Sequence, residues 1–393
     1  MKLIFDVSDK PKAGQLVVFA LQQMLAILAA TIAVPLIIGK GLTPAAAMFG
    51  AGVGTIVYIL FTKRKSPVFL GSSFAFLGSM AAAFAGGVSM QLGMLGLIVG
   101  AFLAGLVYVV IAIVVKFVGV GWLNKLMPAV VIGPTVAIIG LSLAGNAIGD
   151  LVKGDVTKQV TEYAVSTDSG TPEIIETVSN VPVGSSYVAL ICGLITLAVV
   201  MLCSTYGKKT LRLIPFIIGI LAGYAAAAIF TVIGNICDID ALKIVDFSVF
   251  SSYMLTDGSV SLKTFVSLPD FAFVSGLKGL KEFDFTYFAT IFVAYVPVAL
   301  VVFAEHVADH KNLSSIIDHD LLEEPGLTRT LLGDGVGSIA GALFGGCPNT
   351  TYGESVACVA ITGNASVVTI FAAAIGCMLF SFITPLVAFV DSI

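Results

Sequence analysis

The stretch Pro348-Asn-Thr-Thr-Tyr-Gly-Glu-Ser-Val-Ala357 lies in an otherwise apolar region and carries residues that a lipid-facing helix avoids. Proline and glycine interrupt helices, and a charged side chain such as that of Glu354 costs about 2.5 to 3.5 kcal/mol on insertion scales. A similar stretch, Pro67-Val-Phe-Leu-Gly-Ser-Ser-Phe-Ala75, occurs in the first half of the chain. Backbone that leaves the helix at membrane depth has to line a cavity or be covered by protein. The pair therefore predicts two interrupted spans that meet at a binding site.

The surrounding sequence is that of a membrane protein. Of its 393 residues, 58% are hydrophobic and only 11% are charged, against the ~25% of charged residues typical of soluble domains. About eleven apolar stretches are candidates to cross ~30 Å of hydrocarbon. The clear candidates are 15–39, 44–62, 92–118, 127–149, 186–206, 211–234, 285–307 and 366–390, and the shorter or broken ones are 67–87, 329–346 and 349–363.

The charges of the loops predict the orientation. Basic residues of short loops occur at 63–65, at 116 and 125, and at 208–212, each time after an even-numbered span. By the positive-inside rule, the N-terminal segment 1–14 is cytoplasmic, and the long polar connections 150–185 and 235–284 lie outside.

Charged residues inside the spans concentrate near the end of the run that begins at residue 285. Glu305 and Asp309 are four residues apart and share one helical face, and His306 and His310 form a second such pair on the adjacent face. Glu305 follows twenty mostly apolar residues, which favours a functional role. Asp309 and His310 have an alternative interpretation as a solvated cytoplasmic helix end.

Enzyme motifs are present only in part. The spacing of His306 and His310 matches HxxxH, but the zinc-protease pattern needs glutamate directly after the first histidine, and Glu305 precedes it. Asp334, between two glycines, has no second intramembrane aspartate to form a catalytic dyad. It is therefore expected at the start of a helix or in an interhelical hydrogen bond. Walker and CxxC motifs are missing from the sequence, so no cofactor or metal site is predicted, and an enzyme is disfavoured.

Two carboxylates beside interrupted helices define a binding chemistry. A glutamate accepts hydrogen bonds from the N–H groups of a planar ligand, while freed backbone N–H groups donate to its carbonyl oxygens. Burial disfavours the anionic form of a carboxyl group, so one of the two can also carry a proton. We therefore expect Glu305 and Glu354 to converge on one small dry cavity that accepts a neutral heterocyclic amide such as a nucleobase.

Three motifs together resemble one transporter family. Phe303-Ala-Glu-His306, Pro348-Asn-Thr-Thr-Tyr-Gly-Glu354 and Gly71-Ser-Ser-Phe-Ala-Phe76 are similar to the nucleobase:cation symporter-2 (nucleobase–ascorbate transporter) family, and within it to the uracil permeases. The resemblance covers essentially the whole chain and begins with Gln22-Gln-Met-Leu-Ala26 in the first span.

This resemblance implies an all-α polytopic membrane protein of fourteen spans in two inverted seven-span repeats, with short strands in spans 3 and 10. A core domain would comprise spans 1–4 (15–118) and spans 8–11 (285–390). A gate domain would include spans 5–7 (119–234). Because the chain ends after its eleventh predicted span, the second repeat lacks gate spans 12–14, and we expect a truncated gene product.

The resemblance also implies roles for individual residues. Glu305 would hydrogen-bond a uracil ring and take part in proton coupling together with Asp309 and His310. Glu354 would bind the ring from the other side. The other residues implied in the pocket are Gly353, Tyr352, Phe74, Ser73 and Ala30.

The chain departs from the family pattern in two places. The signature reads Gln/Glu/Pro-Asn-x-Gly-x4-Thr-Arg/Lys/Gly, whereas here Ser355 replaces the asparagine and Ala357 replaces the glycine. Relatives of the uracil branch often have histidine four residues after the first glutamate, where this chain has Asp309, with His310 one residue later. These changes bear on substrate selectivity and on the proton-coupling network.

The hypothesis from sequence is a proton-coupled uracil importer of a bacterial inner membrane that moves its substrate by displacing the core against the gate. A full-length protein would form a homodimer through the gate half. A xanthine or urate carrier of the same family is one alternative. An anion carrier or channel of the same fold is another, although carboxylates repel anions. The net charge of −4 and the scattered basic residues exclude nucleic acid as a partner.

Overall fold

The computed structural model describes most of the chain, and the predicted span 127–149 lies largely outside the described residues. Described are residues 3–126, 151–154, 156–166, 173–207, 215–254 and 262–392, with short stretches between 130 and 149 and residue 211. The helices are α1 Ala13–Ile38, α2 Pro44–Phe61, α3 Leu77–Ala83, α4 Met90–Val118, α5 Gly121–Leu126, α6 Ser186–Tyr206, α7 Pro215–Cys237, α8 Ser248–Met254, α9 Ala272–Gly276, α10 Phe285–Ile317, α11 Leu327–Gly345, α12 Gly353–Thr362, α13 Val367–Phe380 and α14 Thr384–Asp391. The strands are β1 Leu70–Ser72, β2 Thr157–Ser166, β3 Glu173–Pro182 and β4 Asn349–Thr351.

The chain divides into two compact units. The first unit comprises residues 1–142 and 260–387, and the second comprises residues 143–259 and 388–393. The second unit contains α6, α7 and an antiparallel hairpin of β2 and β3, which lies within the predicted connection 150–185. Its described core consists of Ala189, Cys192, Ala227, Ile244 and Val245.

Six helices of the described residues are long and apolar enough to cross a membrane. They are α1, α2, α4, α6, residues 218–237 of α7, and α10. The predicted spans 15–39, 44–62, 92–118 and 186–206 agree with the helices within two residues at each end. The prediction of a multi-pass membrane protein is therefore confirmed.

Side-chain caps fix where several of these helices begin. The Thr43 hydroxyl accepts from the N–H of Ala46 at 3.3 Å at the start of α2, where Pro44 is the first helical residue. At the start of α10, the Asp284 carboxylate accepts from the N–H of Tyr287 at 2.7 Å. Such caps satisfy backbone donors that have no partner within the helix.

Helix α11 coincides with the predicted shorter segment 329–346, but the interruption expected there does not occur. It is continuous over 19 residues, because its glycines serve close packing rather than interruption. A Cβ atom at Gly54 of α2 would lie 2.8 Å from the carbonyl oxygen of Gly337, and a Cβ at Gly335 would lie 2.9 Å from that of Gly105 on α4. The small residues therefore let the backbone of α11 approach both neighbours closely.

The predicted span 366–390 is also wrong as a single helix. It divides into α13 and α14 at residues 381–383. Pro385 explains the break, because its ring would clash with the carbonyl of residue 381 in a continuous helix. The N–H of Thr384 instead donates to the carbonyl oxygen of Phe265 at 3.1 Å.

The predicted run 285–307 continues as α10 to Ile317, where Asp318 adopts a left-handed conformation (φ 54°, ψ 38°). His310 is completely buried. The alternative interpretation of a solvated helix end is therefore wrong for His310. Asp309 is half-buried, and the helix extends about two further turns beyond both residues.

Candidate functional site

The two interrupted segments meet in the first unit as an antiparallel strand pair. Gly71 of β1 lies opposite Thr350 of β4, and all residues of both strands are buried. The N–H of Ser73 extends the pairing by donating to the carbonyl oxygen of Pro348 at 2.8 Å. Segments separated by almost 280 positions in the chain are thus held together by main-chain hydrogen bonds.

Side chains of the neighbouring helices satisfy the backbone groups that these strands expose. The hydroxyl of Thr55 on α2 accepts from the N–H of Leu70 at 2.9 Å and donates to its carbonyl oxygen at 3.2 Å. The hydroxyl of Ser338 on α11 accepts from the N–H of Asn349 at 2.9 Å, and Nδ2 of Asn349 donates to the carbonyl oxygen of Gly50 at 3.2 Å. Backbone that is not helical at membrane depth requires such partners.

Tyr352 crosses the strand pair. Its hydroxyl donates to the carbonyl oxygen of Ser72 at 2.8 Å, and a Cβ atom at Gly71 would collide with its ring. Gly71 is therefore required for this close approach. Tyr352 is buried, with 4% of its surface exposed, so its side chain packs against the strand pair.

The acidic residues of α10 lie beside β4 and the start of α12. Thr351 donates from its hydroxyl to Oδ2 of Asp309 at 2.8 Å, and a Cβ atom at Gly353 would lie 3.8 Å from Oδ1 of the same carboxylate. The carboxyl groups of Glu305, Asp309 and Glu354 are close enough to interact electrostatically. The structure therefore brings together the acidic residues that the sequence singled out from distant parts of the chain.

Glu354 lies in the first turn of α12, where the helix dipole and unpaired N–H groups favour a negative charge or an acceptor. Glu354 is exposed, whereas Glu305 is half-buried. The expectation of a small dry cavity enclosing both carboxylates is therefore not met. Instead, Glu354 is exposed, next to the polar residues Asp309 of α10 and Thr351 of β4.

The histidines of α10 lie on a different side of the helix. Nδ1 of His306 lies 2.7 Å from Oδ2 of Asp334 on α11, and its Nε2 lies 3.1 Å from the hydroxyl of Thr330. Because that hydroxyl donates to the carbonyl oxygen of Leu327 at 3.1 Å, it accepts from Nε2–H. A single proton then lies between Nδ1 of His306 and Oδ2 of Asp334. The prediction of an interhelical hydrogen bond for Asp334 is confirmed.

His310 is bonded to backbone and to α2. Its Nδ1 lies 2.7 Å from the carbonyl oxygen of His306, and its Nε2 lies 2.6 Å from the hydroxyl of Tyr58. That hydroxyl also lies 2.7 Å from the Ser66 hydroxyl. Both ring nitrogens of His310 are therefore occupied away from the acidic residues, although the sequence grouped it with Asp309.

The remaining predicted site residues lie at the wall of the same region. Ala30 and Tyr352 belong to one buried apolar cluster, against which the half-buried Phe74 packs. Ser73 is buried, and its hydroxyl has no hydrogen-bond partner among the described residues. Ala30, Phe74 and Ser73 thus come from α1 and from the segment around β1.

Sequence reasoning missed two contacts of this region. The sequence indicates Thr351 only as part of a broken segment, because its bond to Asp309 depends on the packing of α10. Gln23 of α1 bonds through Nε2 to the hydroxyl of Ser355, a residue that the sequence marks only as a departure from a signature. A buried polar residue in a span, such as Gln23, is a signal that could have been used, because it needs a partner.

Apolar helices long enough to span a membrane, together with a polar site built from two interrupted segments, define a multi-pass membrane transporter. A family model described as a permease family matches residues 14–175 and 169–393. The chain belongs to this family, the nucleobase:cation symporter-2 family, as the motifs predicted.

Curated relatives agree with this assignment. A uracil permease of Bacillus caldolyticus is 34% identical over 394 residues, which cover 100% of this chain and 77% of the relative. A uracil permease of Bacillus subtilis (strain 168) is 33% identical over 392 residues, with the same coverage. These relatives are permeases and not enzymes, so the prediction of a transporter is confirmed.

A solved structure shares the fold. The transmembrane domain of the cyanobacterium bicarbonate transporter BicA aligns with a TM-score of 0.57 and 12% identity, covering 98% of this chain and 89% of that chain. At this identity the likeness concerns the fold alone.

Proposed function

We propose that this chain is a proton-coupled uracil importer. The observation that carries the proposal is the junction of β1, β4 and α10, where the bond from Thr351 to Asp309 places the acidic face of α10 beside the start of α12. The similarity to uracil permeases supports uracil as the substrate.

Uracil is neutral and planar, with two N–H donors and two carbonyl acceptors. Glu305 and Glu354 would accept from its N–H groups, and the N–H groups at the start of α12, including that of Gly353, would donate to its carbonyl oxygens. The backbone of Phe74 and Ser73 would face the ring, with Ala30 and Tyr352 supporting this wall. The shared apolar cluster of Ala30, Phe74 and Tyr352 supports this arrangement.

Proton coupling would use the acidic pair Glu305 and Asp309. A carboxyl group that is withdrawn from water favours its neutral form, and a neighbouring carboxylate strengthens that preference. His310 would act indirectly, because its ring nitrogens bond to Tyr58 and to the helix backbone. It would hold α10 against α2 while Asp309 carries the proton.

The proposed mechanism is alternating access in a bacterial inner membrane, with the N-terminus in the cytoplasm. A core of residues 15–118 and 285–390 would move against a gate that includes residues 119–234, in a fold of inverted repeats. The division into two compact units and the antiparallel pairing of one interrupted segment from each half support this proposal. A homodimer through the gate is part of the same proposal.

The test is accumulation of radiolabelled uracil by proteoliposomes under an imposed pH gradient. The proposal expects accumulation that depends on an acidic outer solution and is abolished by a protonophore. Competition with unlabelled compounds in excess distinguishes a purine carrier. Xanthine and urate would inhibit transport by a purine carrier, whereas uracil would not. Uracil uptake that is insensitive to the pH gradient would contradict proton coupling.

An anion carrier is the second candidate, and the shared fold with a bicarbonate transporter is the observation that favours it. The acidic residues of α10 and α12 oppose it, because carboxylates repel anions. Flux of bicarbonate or sulfate that is insensitive to uracil would support this candidate and contradict the importer.

A further inference from the structure

A buried hydroxyl joins three elements of the proposed uracil site. Ser355 follows Glu354 in the first turn of α12 and is completely buried. Its Oγ accepts a hydrogen bond from the N–H of Phe69 at 3.1 Å, and Nε2 of Gln23 on α1 bonds to the same oxygen. α1, the segment leading into β1, and α12 therefore converge on one atom.

The position of Ser355 determines the direction of Glu354. Successive residues of an α-helix point about 100° apart. Since Ser355 is held on the packed side of α12, Glu354 is turned towards the open side, where it is exposed. The start of α12 is held to Phe69 a second time, because the N–H of Tyr352 donates to the carbonyl oxygen of Phe69 at 3.2 Å.

The hydrogen bonds of the Ser355 hydroxyl with Gln23 and Phe69 form a joint between α1, the segment before β1, and α12. Gln23 connects this joint to the apolar cluster of the site. Gln23 and Ala30 are seven residues apart on α1, about two helical turns, and so lie on one face of the helix. Ala30 belongs to the apolar cluster that contains Phe69 and Tyr352. A change in the bond between Gln23 and Ser355 therefore shifts this face of α1 relative to α12.

We propose that Gln23 and Ser355 form a hydrogen-bonded pair that positions Glu354 relative to α1 and β1 and so sets the affinity for the nucleobase. Ser355 is a positioning residue that acts through Glu354. The inference rests on the proposed function for its substrate, but the joint itself is a property of the ligand-free protein.

The experiment is a double-mutant cycle with Ser355→Ala, Gln23→Met and the double variant. Uptake of radiolabelled uracil gives KM and kcat for each. We expect each single change to raise KM about tenfold and to leave kcat within about twofold. The double variant should be no worse than either single variant, because both remove the same joint.

Two further variants separate positioning from general stability. Ser355→Thr keeps the hydroxyl and should retain a KM within about threefold of the wild type. Ser381→Ala, which removes a buried hydroxyl bonded to the carbonyl oxygen of Met378 at 2.7 Å, should leave KM unchanged. An unchanged KM for Ser355→Ala, or additive effects of the two single changes, would overturn the proposal.

Failure of the proposed function can be recognised separately. A wild-type chain that takes up no uracil contradicts the uracil importer, and the joint is then judged by the same cycle on thermal unfolding of the ligand-free protein in detergent. Non-additive losses of thermal stability support the joint, and additive losses overturn it.

Discussion

The hydroxyl of Thr351 donates to Oδ2 of Asp309 at 2.8 Å. This bond links β4, which leads directly into Glu354, with α10, which carries Glu305. An ionised carboxylate only accepts hydrogen bonds, whereas a protonated one can also donate. A change in the charge of Asp309 therefore alters its hydrogen bond to β4, the strand that leads into Glu354.

Replacing Thr351 should weaken proton coupling. Thr351→Val removes the donor to Asp309 at nearly constant volume, and we expect proton-driven uracil accumulation to fall about tenfold, the effect of losing one hydrogen bond to a charged group. Thr351→Ser keeps the hydroxyl and should retain most of the accumulation. Equal accumulation ratios in the two variants, measured in proteoliposomes under the same pH gradient, would refute this role of Thr351.

Gly71 should not tolerate a side chain. Gly71→Ala places a methyl group against the ring of Tyr352, so we expect a loss of about 1 to 3 kcal/mol in the free energy of unfolding. Gly78→Ala is the matched control, since a Cβ atom there has no neighbour within 4 Å. Thermal unfolding in detergent should rank Gly71→Ala well below the control, and similar midpoints would argue against the close approach of Tyr352.

The pair of His306 and Asp334 should behave as a buried, mutually dependent unit. Asp334→Ala leaves Nδ1 of the buried, neutral His306 without its partner and should cost about 1 to 3 kcal/mol of unfolding free energy. Asp334→Asn can still donate to Nδ1 of a neutral His306, so its loss should be clearly smaller. Denaturation of the purified protein measures both. If the asparagine variant is as unstable as the alanine variant, one shared proton does not describe the pair.

A surface ion pair should give a pH-dependent contribution of known sign. Lys65 bonds to Glu324 at the loop after α10, and this hydrogen bond together with the Lys65 charge holds the pKa of Glu324 below its ordinary value. A lowered pKa means that the stabilisation is present at neutral pH and is lost as the pH falls through that pKa.

We therefore expect Glu324→Gln to lower the thermal midpoint slightly at pH 7, with the difference from wild type shrinking and then vanishing as the pH falls through the lowered pKa of Glu324. Glu323→Gln, which changes the neighbouring exposed carboxylate, is the control and should differ little from wild type. A constant difference across the whole pH range would show that the pair does not act through the charge of Glu324.

Local sequence was sufficient for the helices α1, α2, α4 and α6 and for the interrupted segments. Clusters of Pro, Gly and hydroxyl residues in an apolar background located the regions of β1 and β4, because non-helical backbone at membrane depth has to be covered by protein or line a cavity. The spacing of Glu305 and Asp309 also placed both on one helical face.

Packing decided what the sequence left open. The glycines of α11 read as helix breakers, but they allow contact with α2 and α4, which only the three-dimensional arrangement reveals. Pro385 indicates the break between α13 and α14, but the apolar character of 366–390 favours a single long span. His310 was grouped with Asp309 by proximity in sequence, whereas its partner Tyr58 lies 252 positions away.

The central claim is that Glu305 and Glu354 together bind the transported nucleobase. Initial uptake of radiolabelled uracil is measured in membranes that contain equal amounts of wild type, Glu305→Gln, Glu354→Gln and Glu282→Gln, the last of which changes an exposed carboxylate just before α10. The account predicts that uptake falls about a hundredfold in each of the first two variants and stays at the wild-type level in the third. Wild-type uptake in either Glu305→Gln or Glu354→Gln would contradict it.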